Sequence, residues 1–399
     1  MSNYKIIKRS DLEGKKVLVR VDFNIPLEDG VVQDRARIRN AAKTVQFLRE
    51  ARAKIILMSH LGKTSSFNPD QSLEMVRNDV SDEYKAKITL MNDYLSENAP
   101  AAIAQTPSDE IILLENLRFH MEEEACDMGF AKKLAGLADF YVNEAFSVSH
   151  RRHASIFAVP QFLPHAFGLS FKNEIQTVDN FFLKECSSKM GLIGGSKLST
   201  KIKLLKNLVK KVHRLALGGG IAGAFLSFLG NKTLKIFDPK EYESDVAEIM
   251  ENARRYNCEL IMPIDFSALI NDRDSFKHAI ISSDKDEASI FDIGPASVDL
   301  FKKNIRESKI LLWNGPVGLF ERAPFNFGTM SIAKEVAQLT REKRLVSIVG
   351  GGDTGFAMSK FGVAQDMSHI STGGGAFLAY VEGSELPGIE AMSDAHVLD

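Results

Sequence analysis

From residue 16 onward the chain alternates short apolar runs, most of them unbroken by polar residues, with longer stretches of helical periodicity. The runs fall at 16–21, 54–59, 111–114 and 140–143, then at 189–193, 214–217, 233–237, 260–263, 309–313, 344–349 and 367–370. A strand with one wet face alternates apolar and polar residues, whereas a continuous run suits a strand covered on both faces. Helical spacing at 36–51, 130–137, 202–212, 244–256, 297–307 and 329–340 supplies the covering layers. The pattern predicts an α/β fold of doubly wound parallel sheets, with ligands at the carboxyl ends of the strands.

At 399 residues the chain is long enough for two such domains. A helix-like stretch at 171–188 coincides with a change in glycine density and predicts a helical hinge between domains at 1–170 and 189–385. The formal net charge of −2 argues against a general nucleic-acid or anionic-membrane binder. Cys126, Cys186 and Cys258 are widely spaced, with no CxxC, and read as free thiols rather than a zinc site. The N-terminus lacks an apolar secretory segment, and residues 215–232 are too short and glycine-broken to span a bilayer. A cytoplasmic protein is the expectation. The tail at 385–399 has no strong pattern of its own.

Of the 28 glycines, 22 lie after residue 174, in tight clusters. Strand 344–349 runs into Gly350, Gly351, Gly352, Asp353 and Thr354, and strand 367–370 into Ser371, Thr372, Gly373, Gly374 and Gly375. Strand, glycine turn and helix together aim backbone N–H groups and a helix dipole at phosphate oxygens. Asp353 could approach a phosphate only across a cation, which makes it a Mg²⁺ ligand candidate, or it could be a simple helix cap. Gly194, Gly195, Ser196 and Lys197 follow strand 189–193. There Lys197 and Lys201, four apart at a helix start, are expected on one face. Gly218, Gly219, Gly220 and Gly223 match GxGxxG, with Asp238 twenty residues on. That spacing leaves open a nicotinamide-dependent dehydrogenase. Trp313, the only tryptophan, precedes Asn314, Gly315 and Pro316, and reads equally as a buried strand end or a ligand contact. Glu321 follows and could accept hydrogen bonds from a sugar hydroxyl.

The glycine-poor half places basic residues after its strands instead. Asp22, Phe23 and Asn24 follow the first run, with Arg37 at a helix start; His60, Leu61, Gly62 and Lys63 follow the second. Arg118 follows the third, and His150, Arg151 and His153 the fourth. Each alone reads as an ion pair or a core histidine, but their recurrence at the ligand-binding edge points to a small anion. There is no G-x-S-x-G elbow and no cysteine beside a plausible base. Two anion sites without a covalent nucleophile suit direct phosphoryl transfer.

The motifs VRVDFNIPL, RARIRNA, LMSHLGK, LLENLRFH, YVNEAF, HRRHAS, GGSKLSTK, GGGIA, DIGP, WNGPVGLFE, GGGDT, ISTGGGA and LPG occur in this order over nearly the whole chain. In them the chain resembles the phosphoglycerate kinase family. The resemblance implies two similar-sized α/β domains, the tail at 386–399 returning to the first. It also implies a glycolytic, hinge-bending monomer that needs Mg²⁺. The first domain would bind 3-phosphoglycerate or 1,3-bisphosphoglycerate through Asp22, Phe23, Asn24, Arg37, His60, Leu61, Gly62, Lys63, Arg118 and Arg151. The second would bind ADP or ATP through Lys201, Gly218, Gly219, Asn314, Glu321, Gly351, Gly352, Asp353 and Thr354, with Asp353 holding the metal. Arg37, Lys197, Lys201, Gly373 and Gly374 would act on the phosphoryl group in flight.

The chain departs from the family pattern in three places. SHLGRP is here SHLGKT, with Lys63 for Arg and Thr64 for Pro. NDAFG is here Asn143, Glu144, Ala145, Phe146 and Ser147. The S-L-E after TGGGA is here Phe377, Leu378 and Ala379. The last two changes are expected to bear on closure more than on chemistry.

Overall fold

The structure is a computed structural model that describes residues 4–230, 241–272, 275–281 and 288–393. The strand expected at 233–237, with Asp238, lies outside these residues, as does the end of the tail at 394–399. The chain forms two compact units: Met1–Gln176 with Glu385–Asp399, and Thr177–Ser384. The division falls within one continuous helix, Leu169–Leu183.

In the first unit six parallel strands lie in the order Ile88–Met91, Ile111–Leu114, Lys54–Met58, Lys16–Arg20, Phe140–Asn143 and His165–Phe167. The chain starts on an inner strand, builds outward on one side and then returns to the other. Its winding therefore reverses beside Lys16–Arg20, the place where such sheets bind ligands at the carboxyl edge. The helix Ala36–Glu50 begins where Asp34 Oδ1 accepts from Ala36 N at 2.8 Å. It turns Ile38, Ala41, Val45 and Leu48 onto Val17, Val19, Ile55 and Leu57 of the sheet. Each large side chain on that seam contributes about 1.5–3 kcal/mol by leaving water. The seam fixes the helix, and with it Arg37 in its first turn.

The second unit repeats the plan with the strands Glu259–Ile261, Arg214–Leu217, Lys189–Ile193, Ile310–Asn314, Val346–Gly350 and His369–Ile370, again all parallel. Here the winding reverses between Lys189–Ile193 and Ile310–Asn314. Trp313 is fully buried, and its indole Nε1 donates to Gly315 O at 2.9 Å, so it ends a strand and pins the following turn.

Four observations amend the sequence reading. The strands Ile88–Met91 and His165–Phe167 are additional, both at sheet edges. They escaped notice because they are short, and the first is only half-buried beyond Ile88. A three-stranded antiparallel sheet of Phe266–Asp272, Ser275–Ile281 and Ala288–Ile293 is also additional. Finally, Lys197 and Lys201 do not share a helix face. A 3₁₀ turn, Leu198–Thr200, separates them, and the α-helix begins only at Ile202 with Lys201 in a non-helical cap conformation. Lys197 itself is extended, ahead of the 3₁₀ turn, so no helical turn encloses both lysines.

Candidate functional site

The first unit gathers side chains at its winding reversal. Asp22, just past the strand Lys16–Arg20, pairs with Arg37 at 3.0 Å (Oδ2 to Nη1) and accepts a hydrogen bond from Ser147. Arg37 Nη1 also donates to Asn24 O at 2.5 Å. Asn24 Oδ1 accepts from Gly62 N at 2.9 Å, which ties the first strand's loop to the second's. Gly62 O in turn accepts from Arg118 Nη1 at 2.5 Å. Arg118 is almost fully buried, and its Nε lies 2.9 Å from Glu124 Oε1 without hydrogen-bond alignment. Beneath this layer Asn116 holds Leu61 from both sides, accepting from Leu61 N at 3.3 Å and donating to Leu61 O at 2.8 Å. Phe23 N is bound by Ser59 Oγ at 2.8 Å. Three loops are thus locked into one another by backbone groups, with arginines rising from them.

The electrostatics are those of an anion site. His60 is held well below its ordinary pKa, by burial first and then by Arg20, with Asp22 opposing and Arg118 and Arg151 adding. His153 is pushed down to about 3 by burial and then by Arg20, Arg118 and Arg151. Burial and Arg151 lower His150 as well. Burial pushes Asp22 up, but Arg37, Ser147 and the Asn24 amide outweigh it, and its carboxyl stays below the usual range. Histidines of lowered proton affinity among arginines form a field suited to an external negative charge.

The second unit offers a cavity of about 350 Å³. Its lining includes Gly195 and Gly219, Phe266, Phe291 and Asp292 from the antiparallel sheet, Pro316 to Glu321, and Asp353. Its glycine wall is tight because backbones approach there: a Cβ on Gly219 would lie 2.7 Å from Gly195 O. Asp292 is buried in the wall, and burial pushes its carboxyl up to about 7 against the amides of Ile293 and Gly328. Lys201 Nζ donates to Gly194 O at 2.6 Å and to Asn314 O at 3.2 Å, so the ammonium sits over the winding reversal. Burial brings it down to about 8, with Asp353 opposing. Asn314 donates to Gly350 O at 2.8 Å, and its buried Oδ1 has no partner.

The other candidate residues differ in exposure and local role. Thr354 is buried, and its hydroxyl accepts from Gly315 N at 2.7 Å, so it fixes a turn. Lys197 and Lys63 are exposed. Gly351, with φ of +95°, lets the chain enter the helix Gly352–Lys360, and Gly373 and Gly374 start the helix Gly374–Val381. The ring of Phe377, one of the departures, packs directly on Gly350. Sequence reasoning missed Arg20, Glu123, Ser147 and Ser155 beneath the first site, and Phe266, Phe291 and Asp292 in the second.

Among the described residues no group of three His, Cys, Asp or Glu side chains is placed to hold a metal. Mg²⁺ with a nucleotide needs no such cage, since one carboxylate with phosphates and water suffices, and the exposed Asp353 lining the cavity fits that donor set.

Comparison with known proteins agrees with this layout. A sequence profile described as phosphoglycerate kinase matches residues 7–384. Phosphoglycerate kinase of Wolbachia pipientis wMel is 41% identical over 392 residues, 98% of either chain. That of Dictyoglomus turgidum is 40% identical over 390 residues, 97% of this chain and 98% of its own. Among solved structures, phosphoglycerate kinase from Coxiella burnetii superposes with a TM-score of 0.84 at 33% identity, over 98% of each chain. The dehydrogenase alternative falls away, and with both sites and both sheets accounted for, the chain belongs to the phosphoglycerate kinase family, phosphotransferases that use a carboxyl group as acceptor.

Proposed function

We propose that the protein catalyses reversible, Mg²⁺-dependent phosphoryl transfer from the acyl phosphate of 1,3-bisphosphoglycerate to ADP, giving 3-phosphoglycerate and ATP. The observation that carries this reading is the arginine-rich field of the first unit, where Arg37 is paired with Asp22 and the buried Arg118 stands on Gly62 O. Such a field is balanced by a ligand carrying carboxylate and phosphate groups. Arg37, held by Asp22, and the buried Arg118 would grip it, with Arg151 and Lys63 completing the charge.

In the second unit the nucleoside would occupy the glycine-walled cavity, bordered by Gly218 and Gly219, with Glu321 near the ribose. Lys201 would neutralise the phosphates, joined by Lys197. The amides at Gly352, Gly373 and Gly374 would bind their oxygens. Asp353 would hold Mg²⁺, which when bound neutralises phosphate charge. No side chain forms a covalent intermediate; the protein supplies position and charge for in-line displacement. Each unit holds one ligand, so transfer needs hinge bending, for which the helix Leu169–Leu183 is the candidate. The enzyme is proposed to act as a cytoplasmic monomer without nucleic-acid or membrane partners. Among the described residues no helix is long and apolar enough to cross a membrane.

The test is a coupled assay with 3-phosphoglycerate, ATP and Mg²⁺. Turnover that Arg37→Ala reduces strongly supports the reading, and absence of turnover in the wild-type protein refutes it.

A further inference from the structure

A buried chain of polar groups runs behind the first site, and its hydrogen-bond polarity has only one solution. Arg20, Glu123, Ser155 and His60 are each at most 2% exposed. Arg20 Nε donates to Ser155 Oγ at 2.8 Å, and Arg20 Nη2 lies 3.2 Å from His60 Nδ1. A third guanidinium nitrogen donates to Val21 O. Ser155 Oγ lies 2.5 Å from Glu123 Oε1, and Ser155 N donates to Glu123 Oε2 at 2.9 Å. Tyr141 completes the seat by donating to Ser155 O at 2.8 Å.

A guanidinium has five donors and no acceptor, so every contact it makes must be received. Ser155 Oγ therefore accepts from Arg20 and must turn its own hydrogen toward Glu123. His60 Nδ1 likewise must accept, since a proton there would face the Arg20 N–H. Asp22 Oδ1, at 4.0 Å from Nδ1, is too far to hold such a proton by a hydrogen bond. The proton of the neutral ring is left on Nε2.

We infer that Arg20, seated by Ser155 and Glu123, is a positioning residue that holds His60 as its neutral Nε2–H tautomer, so that His60 meets the glycerate ligand as an N–H donor without a charge. The inference rests on the proposed glycerate site for its functional meaning, though not for its geometry. It explains why an arginine is buried one residue before the ligand loop. A lysine would give a donor but not the fork that spans Ser155 and His60 together. The low proton affinity of His60 agrees with it, burial and Arg20 being the two largest causes. The arrangement also separates two tasks. Arg37 and Arg118 supply charge to the site, while His60 supplies direction: a ligand oxygen reaching its Nε2 must be an acceptor.

The experiment is long-range proton–nitrogen NMR on the ligand-free protein labelled with ¹⁵N-histidine, with His60 assigned by the signal lost in His60→Asn. The expected result is an unprotonated Nδ1 and a protonated Nε2; a protonated Nδ1 overturns the inference. Because this reads a proton position without substrate, it can succeed in a protein that fails the coupled assay, and fail in one that passes it. Ser155→Ala, a smaller change than removing Arg20, should raise the KM for 3-phosphoglycerate about tenfold through loss of a charged hydrogen bond. It should also leave the nucleotide KM unchanged and broaden the His60 signals toward mixed tautomers. Ser155→Thr should restore both. A raised KM with an unchanged single tautomer would show that Arg20 does not act through His60.

Discussion

Nucleotide binding should load a proton onto Lys201, and the size of that uptake follows from its surroundings. Its ammonium donates to two carbonyls, Gly194 O and Asn314 O, with Asp353 the one charged group that opposes its desolvation. In the free protein burial holds it at about 8, against an ordinary value of 10.5. At that value it is roughly 90% charged at pH 7 but only about 25% charged at pH 8.5. A polyphosphate beside it favours the charged form and returns the group toward its ordinary range. Binding Mg-ADP should therefore take up about 0.1 proton at pH 7 and about 0.75 at pH 8.5.

Titration calorimetry in pairs of buffers with different ionisation enthalpies measures this number directly. Lys201→Met should abolish the rise while leaving any buffer- or nucleotide-linked background. The reasoning is refuted if uptake at pH 8.5 is no larger than at pH 7, or if Lys201→Met takes up as much as the wild type. The sign for stability is also determined. Between about 8 and 10.5 the unfolded chain binds more protons at this group than the native one, so its contribution to stability rises with pH across that window.

Lys63→Arg should lower the KM for 3-phosphoglycerate by about twofold to tenfold, because a guanidinium fork replaces an exposed point charge; an unchanged or higher KM counts against the placement of Lys63 at the ligand. Asp292→Asn should cost about 1–3 kcal/mol in urea unfolding, since its oxygens accept from Ile293 N and Gly328 N and an amide NH₂ would face one of those donors. It should weaken Mg-ADP binding and spare 3-phosphoglycerate, and equal weakening of both would contradict its place in the nucleotide wall. Glu144→Gln should alter the pH dependence of stability. Burial raises the Glu144 carboxyl from 4.5 to about 7, so the native state binds more protons in that window and this group's contribution falls as pH rises through it. The difference between wild type and Glu144→Gln in urea unfolding should therefore shift between pH 5 and pH 7.5, and a constant difference would refute the reading.

The sheets were legible because their inner strands are continuous apolar runs, and both winding reversals could be approached from residues that end those runs. Asp22, His60 and Arg118 stand after three different strands, yet meet through Asn24, Gly62 and backbone carbonyls. What the sequence could not display was depth. Arg20 looks like any strand-end arginine, and nothing in its neighbours announces that Ser155, 135 positions on, receives its Nε. Glu123 sits in an acidic helix, Met121–Glu124, whose composition suggests a solvated turn, but it is fully buried under Ser155. In the second unit the glycine loops were visible, whereas the wall role of Phe266 and Asp292 was not, because their strands carry no long unbroken apolar run and belong to a separate antiparallel sheet. The lysine pair failed for a different reason. A four-residue spacing implies a shared face only if the helix has already begun, and here it begins after Lys201.

If the proposed ligands are bound as assigned, the two sites solve one problem with opposite materials, and the difference follows from ligand size. A glycerate ligand is small, and close approach on several sides needs long side chains that converge, each held by a second layer such as Asp22 under Arg37 or Asn116 under Leu61. A nucleotide is large and brings its own phosphates, so the protein must clear room and present backbone. Gly194 and Gly315 illustrate the cost of that choice: a Cβ on the first would collide with Pro316 O and one on the second with Gly194 O, so the strand-end turns can touch only if both glycines remain bare. Arginines tolerate neighbours and glycines do not. The basic half therefore carries its chemistry in buried partners that sequence spacing conceals, while the nucleotide half carries it in absent side chains that a sequence shows openly.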